Sequence, residues 1–186
     1  MLSISLSWAG TLCPDQLMQH YQKTGASKWL DGLIQHCGDD LYHFLLRQSD
    51  PALAQDICQQ TWLKVMEKRH SFRADSRFKT WLFSMARNAL LDELKRQQRW
   101  LSSTCPEQLA QPEIECSQSW PVARQQRFEQ ALRLLPFLQR EALMLQLEGF
   151  SVGQIASITN ELDETVKSRL RYARRFLQAR LGEHDE

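Results

Sequence analysis

Apolar residues recur along this chain at intervals of three and four positions, and no convincing stretch alternates apolar with polar residues as a half-buried strand does. Such spacing places the apolar side chains of each segment along one face of a helix. Of the 186 residues, 42% are hydrophobic, which is typical of a folded soluble protein. The sequence therefore predicts an all-α fold.

A change in composition at residues 100–121 divides the chain. Pro106, Pro112 and Pro121 stand there among Ser, Gln and Glu, and a proline inside a helix removes a hydrogen bond and clashes with the preceding turn. We interpret residues 100–121 as a flexible linker between two small helical domains. The expected domains are residues 28–99 and 122–186, and residues 1–27 are unassigned.

Local signals place the helices of the first domain. Asp50 followed by Pro51 predicts a helix start, because Asp caps free N–H groups and Pro has none to lose in the first turn. This helix should end near Arg69, with Leu53 and Val65 on its apolar face. A longer helix is expected at 78–99, and two shorter ones at 28–37 and 40–48.

The second domain carries the signals of a helix-turn-helix. Helices are expected at 122–134 and 136–148, and the stretch from Ser151 to Gln154 has the form of a capping box. Asn160 tolerates a left-handed turn, and a last helix should follow at 163–181. A short helix, a tight turn and a longer basic helix are typical of DNA-binding proteins that place the second helix in the major groove.

The last helix has two distinct faces. Val166, Leu170, Ala173 and Leu177 share one side and should pack inward. Arg bonds guanine edges in a forked geometry, and Lys and Ser more often hold phosphates. The candidate DNA contacts are Lys167, Ser168, Arg171, Tyr172, Arg174 and Arg175. The alternative is a solvated basic helix that ends a small bundle.

The formal net charge of +1 conceals a strong pattern. Residues 64–99 carry ten Lys and Arg against four Asp and Glu, and residues 163–180 carry six against two. Residues 101–123, between them, have three Glu and no basic residue. Two basic regions separated by an acidic stretch predict a protein that contacts a polyanion at two places.

The first basic region also contains aromatic residues. Because bases stack on aromatic rings while cations hold the backbone, this composition favours contact with single-stranded or distorted DNA. The candidate residues are Phe72, Arg73, Arg77, Phe78, Lys79, Trp81, Phe83, Arg87 and Asn88. The alternative is that Phe78, Trp81 and Phe83 are core residues of a helical bundle.

Several classes of protein are disfavoured. The five cysteines are odd in number and form no C-x-x-C pair, which argues against a disulfide framework and a standard zinc site. Clustered carboxylates of the kind that enzymes use are not visible, so we expect no catalytic residues, metal or cofactor. No apolar run reaches the length of a membrane span, and residues 1–10 make a poor signal peptide, so we expect a cytoplasmic protein.

Two sets of motifs resemble those of the extracytoplasmic-function (ECF) sigma factors, promoter-recognition subunits of bacterial RNA polymerase in the sigma-70 family. The first set, similar to the promoter-melting domain, comprises DICQQTW at 56–62, FRADSRFKTWL at 72–82, ARN at 86–88 and Asp92. The second set, similar to the C-terminal helix-turn-helix, comprises LP at 135–136, QRE at 139–141, EGFS at 148–151, IA at 155–156 and TVKSRL at 165–170. The resemblance covers residues 30–181 in order and spacing.

The resemblance implies partners and a role for each matching position. Asp56, Gln59 and Gln60 would bind the coiled coil of the largest subunit of the polymerase core. The loop at 72–77 would capture a flipped base of the promoter minus-ten element. The implied minus-ten contacts are Phe72, Arg73, Arg77, Lys79, Trp81, Arg87 and Asn88, and the candidate contacts of the last helix would lie over the minus-thirty-five element. A regulatory anti-sigma factor is a further expected partner.

Three positions depart from the family pattern. Gln60 stands where an acidic residue is usual, Asn160 replaces a turn glycine, and Glu161 occupies a place that is commonly apolar, so the turn could be shifted by one residue. The main alternative function is a stand-alone helix-turn-helix transcription regulator, although no dimer element is visible. A DNA-modifying enzyme and a protein-interaction bundle are further alternatives.

Overall fold

The structure is a computed structural model that describes residues 12–73, 76–103 and 120–182. These residues form helices without any strand, as the sequence predicts. None of the helices is long and apolar enough to cross a membrane. The helices are α1 (Pro14–Thr24), α2 (Ser27–Leu46), α3 (Pro51–Glu67), α4 (Phe78–Ser103), α5 (Trp120–Leu134), α6 (Phe137–Leu147), α7 (Val152–Thr159) and α8 (Asp163–Gly182), with a 3-10 turn at Arg69–Ser71.

The first four helices pack together around buried residues of α2, α3 and α4. The two helices expected at 28–37 and 40–48 are one continuous helix, α2. Leu33, Cys37, Leu41 and Phe44 are all buried at helical spacing, so a single apolar stripe runs past Gly38. Because tertiary burial of this stripe outweighs the low helix propensity of one glycine, the helix does not break there.

Helix α1 occupies part of the N-terminal segment that the sequence left unassigned. Pro14 stands at its first turn, and Gly25 ends it in the left-handed conformation with φ 66°. Leu17, Met18 and Tyr21 are buried against α2 and α4. This helix is therefore an integral part of the first bundle.

The second bundle contains the predicted helix-turn-helix. The Ser151 hydroxyl accepts a hydrogen bond from the Gln154 N–H, and the Gln154 amide oxygen accepts one from the Ser151 N–H, which completes the capping box that starts α7. Asn160 ends α7 in the left-handed conformation, with φ 54° and ψ 48°. Helix α7 is thus followed by α8 after a three-residue turn.

The two bundles share one continuous apolar core. Helix α4 packs on α7, and the rings of Phe83 and Phe150 meet at 4.9 Å between centroids. Helix α4 extends to Ser103 and α5 begins at Trp120, so both helices enter the segment interpreted as a linker. The remainder of that segment, residues 104–119, lies outside the described residues.

Candidate nucleic-acid and polymerase interface

The last helix, α8, presents a basic face to solvent. The four positions predicted to pack inward, Val166, Leu170, Ala173 and Leu177, are all buried. The six candidate minus-thirty-five contacts are all exposed: Lys167, Ser168, Arg171, Tyr172, Arg174 and Arg175. Because one side of α8 is anchored in the core, the cationic side is held in a fixed direction, as recognition by a helix in a groove requires.

Polar partners within the chain orient several of these cations. Lys167 Nζ lies 2.6 Å from Glu164 Oε1, and this contact raises the pKa of Lys167 and lowers that of Glu164. Arg174 Nη2 donates to the Gln146 amide oxygen at 2.7 Å. Four of the six residues, Ser168, Arg171, Tyr172 and Arg175, are exposed without any such bond to the described part of the chain.

The turn before α8 accommodates the unusual residue Glu161. The Glu161 N–H donates to the carbonyl of Ala156, which fixes the turn after Asn160. The Glu161 carboxylate accepts from Arg169 Nη2 at 2.6 Å, and the Arg169 side chain is only 12% exposed. The polar residue at this commonly apolar position is therefore satisfied by a charged partner on α8, and Leu162 beside it is exposed.

A second candidate surface lies on α3. Asp56, Gln59 and Gln60, the residues implied in binding the polymerase core, are all exposed, and the predicted inward face of α3 is buried. Two large apolar residues continue the exposed side by helical spacing: Leu63 is 54% exposed and Met66 is 38% exposed. No signal in the sequence singles out these two residues, because an apolar residue on an amphipathic helix is ordinarily assigned to the core.

The candidate minus-ten residues do not share one environment. Arg73, Arg77 and Asn88 are exposed, and Trp81 is half-buried beside Phe72, with 5.4 Å between ring centroids. Phe72 itself is buried. Phe78 and Phe83 are also buried, as expected if they are core residues of a helical bundle. The exposed cations thus flank a packed aromatic cluster.

Two further candidates, Lys79 and Arg87, are bonded to the second bundle. Arg87 Nε and Nη2 donate to the two carboxylate oxygens of Glu141 at 2.8 and 3.3 Å. The Arg87 side chain is 9% exposed and that of Glu141 is 1% exposed, so this ion pair is buried between α4 and α6. No local sequence signal identifies Glu141 as the partner, because the two residues are 54 positions apart.

Lys79 lies at the edge of the same contact. Its Nζ is 2.7 Å from Asp40 Oδ2 and 3.0 Å from the backbone carbonyl of Glu148. Burial and the neighbouring Asp40 carboxylate raise the pKa of Glu148, against an opposing effect of Lys79. In this conformation the cations of Lys79 and Arg87 therefore face protein oxygens; Arg87 is buried and Lys79 is half-buried.

Comparison with known proteins accounts for both bundles. Residues 33–100 match the family model Sigma-70 region 2, and residues 125–177 match Sigma-70, region 4. The chain is 31% identical over 154 residues to the ECF RNA polymerase sigma factor SigM of Bacillus subtilis, covering 81% of this chain and 93% of the relative.

Solved structures have the same fold. The sigma factor RpoE of Bartonella quintana, crystallised with the anti-sigma factor NepR, is 29% identical with a TM-score of 0.69, covering 84% of this chain and 98% of that one. CnrH, solved with the cytosolic domain of CnrY, is 20% identical with a TM-score of 0.67, covering 93% and 100%. The order of the motifs, the exposed basic helix and these matches together show that the chain belongs to the ECF sigma factors of the sigma-70 family.

Proposed function

We propose that this sigma factor binds the polymerase core through α3 and contacts promoter DNA through α4 and α8. The observation that carries the proposal is the face of α8, where six polar or basic residues are exposed opposite four buried apolar ones. The capping box and the left-handed Asn160 fix how α8 leaves the turn. Lys167, Ser168, Arg171, Tyr172, Arg174 and Arg175 would contact the minus-thirty-five element.

The proposed surface for the polymerase core is the exposed side of α3. It consists of Asp56, Gln59 and Gln60 together with Leu63 and Met66, the exposed apolar residues beside them. Apolar residues flanked by polar ones are typical of protein interfaces, and their burial would supply affinity that the missing charge at Gln60 does not. The coiled coil of the largest polymerase subunit is the proposed partner.

The minus-ten element would be bound by the loop after α3 and the start of α4. In the described conformation, DNA could reach the exposed side chains of Arg73, Arg77 and Asn88, and part of the half-buried Trp81. Arg87 and Lys79 face Glu141 and Glu148, so their contact with DNA requires α4 to part from α6 and α7. We therefore assign the described conformation to the protein free of polymerase, and residues 28–99 and 122–186 to domains that separate.

An anti-sigma factor is a proposed regulator, since the related RpoE was solved with the anti-sigma factor NepR. The proposed site of action is the cytoplasm, where the chromosome is transcribed. Catalysis would belong to the polymerase, and the sigma factor would contribute recognition without catalytic residues of its own.

In vitro transcription tests the proposal. The purified full chain is added to sigma-free polymerase core with a pool of bacterial genomic promoters, and transcript starts are sequenced. We expect initiation at sites that share a two-part motif. Absence of both initiation and core binding would favour the alternative, a stand-alone helix-turn-helix regulator.

Matched variants of α8 test the recognition face. Arg171→Ala and Arg174→Ala should each weaken use of promoters with the minus-thirty-five motif by roughly five- to 150-fold, since a forked Arg–base contact contributes about 1–3 kcal/mol. Arg180→Ala is the control, because residue 180 lies about two and a half turns beyond Arg171 and on the opposite side of the helix. Unchanged promoter choice in both test variants would show that this face does not contact bases.

A further inference from the structure

Two residues of α1 bond the backbone at both ends of the loop between α3 and α4. Gln22 Nε2 donates to the carbonyl oxygen of Phe72 at 2.8 Å. The backbone N–H of Phe78 donates to Asp15 Oδ1 at 2.6 Å. Both bonds are partly buried, which strengthens them relative to bonds at an open surface. Helix α1 therefore holds both ends of this loop, at Phe72 after the 3-10 turn and at Phe78 at the start of α4.

The bond from Phe78 supplies a cap that the local sequence lacks. Helix α4 begins after Arg77, whose carbonyl accepts from the Trp81 N–H at 3.1 Å. An arginine has no side-chain acceptor for the free N–H groups, and its cation is unfavourable at the positive end of the helix dipole. The Asp15 carboxylate provides both the acceptor and the favourable charge from a different helix. The direction of the first turn of α4 thus depends on α1.

A third contact fastens the other end of α1 to the 3-10 turn. The Arg69 guanidinium lies 5.8 Å from the centre of the Tyr21 ring, which is buried. Gly25 makes room for it, because a Cβ at that position would lie 2.9 Å from Arg69 Nη1 and the φ of 66° also disfavours a side chain. Contacts thus run along the length of α1, from Asp15 to Gly25.

We propose that Asp15 and Gln22 are positioning residues for promoter opening, which hold the two ends of the loop, at Phe72 and Phe78, in the places from which the loop accepts an unstacked base. The proposal rests on the proposed function of this loop. Extruding a base from the duplex is costly. Loop ends that are already fixed by α1 spare the further entropic cost of fixing them at that moment. Helix α1 precedes residue 33, where the match to region 2 begins, so the family match does not assign it this role.

Promoter opening by the reconstituted holoenzyme tests this role. The probe is a duplex promoter from the transcription experiment with a fluorescent base analogue in its minus-ten element, and a duplex carrying only the minus-thirty-five element measures closed binding. Asp15→Ala and Gln22→Ala should slow opening about tenfold, or about 1.4 kcal/mol, without changing closed binding. Asp15→Asn should recover most of the rate, because its amide oxygen still accepts from the Phe78 N–H.

Asp31→Ala and Gln19→Ala are the matched controls, since Asp31 and Gln19 make no hydrogen bond to the described residues of the loop. Opening at the wild-type rate by Asp15→Ala and Gln22→Ala would overturn the proposal. The proposal would also be overturned if the variants lost closed binding and thermal stability along with the opening rate, because that result would indicate only a general loss of stability. If Asp15→Ala does not fold, Gln22→Ala decides the question. A wild-type chain that opens no promoter would refute the proposed function itself, and the positioning role with it.

Discussion

The buried ion pair between Arg87 and Glu141 predicts how the two bundles respond to a single substitution. Glu141→Ala leaves the Arg87 guanidinium, 9% exposed, without its carboxylate. Removal of one partner from a buried ion pair costs about 3–5 kcal/mol. If α4 and α6 part, water hydrates Arg87 again. The substitution therefore lowers the free energy of association of the two bundles and leaves the stability of each bundle unchanged. We therefore expect Glu141→Ala to shift the chain toward an open form by about two to four powers of ten, since each tenfold change is about 1.4 kcal/mol.

Small-angle X-ray scattering of the free chain is the assay, because separation of the bundles enlarges the radius of gyration. The matched control is the double variant Arg87→Met, Glu141→Leu, which removes both charges and keeps the volume. Replacement of a buried pair by apolar residues is often neutral or stabilising, so this variant should remain closed. Binding of a single-stranded minus-ten oligonucleotide without polymerase should rise in Glu141→Ala, where Arg87 is uncovered.

A Glu141→Ala variant with the wild-type radius of gyration, oligonucleotide affinity and free energy of unfolding would contradict this role of the ion pair. That result would mean that the pair contributes nothing to the contact. A closed but destabilised Glu141→Ala would instead mean that the remaining contacts between the bundles, among them the Phe83–Phe150 ring contact and the bond from Lys79 to Glu148, keep them together.

Two further predictions concern the stability of the full chain in urea. Burial raises the pKa of the Cys37 thiol from 9.0 to about 11. Above pH 9 the unfolded chain loses the thiol proton, whereas the folded chain keeps it until about pH 11. The free energy of unfolding is therefore unaffected by this group below pH 9 and falls as pH rises from 9 toward 11. The wild type should therefore lose up to about 1.4 kcal/mol per pH unit relative to Cys37→Ala in that window, and parallel curves would contradict the assignment. Asn160→Val should cost about 1–2 kcal/mol because residue 160 is left-handed, whereas Asn160→Gly should be tolerated; equal stabilities would refute a requirement for this turn.

The elements that the sequence predicts well are those with local causes. Asp50 accepts from the Leu53 N–H and starts α3, as its position before Pro51 predicts. The capping box at Ser151 and the left-handed Asn160 are likewise found where short-range signals place them. The division of α8 into an apolar and a basic side follows from spacing alone. In each case the decisive contacts lie within about one helical turn.

The features that the sequence does not predict depend on distant partners. Gly38 suggests a break that burial of Cys37 and Leu41 overrides. Arg87 has the composition of a DNA contact, and only the tertiary fold brings Glu141 to it. Helix α1 could have been found from Pro14 and Gly25, a helix-start proline and a helix-end glycine. Its bond to the start of α4, however, joins residues 63 positions apart.

The bond between Lys167 and Glu164 has a consequence for how salt affects promoter binding. Cations that neutralise phosphates release the ions condensed on DNA, and the salt dependence of affinity counts the phosphates neutralised in this way. Lys167 already pairs with Glu164 within the same turn of α8, at the surface of the helix. To hold a phosphate, Lys167 must leave the Glu164 carboxylate for the phosphate. Glu164 then repels the DNA backbone. The salt dependence should therefore report fewer neutralised phosphates than the face of α8 has positive charges. Arg171, Arg174 and Arg175, which have no carboxylate partner among the described residues, should account for most of it.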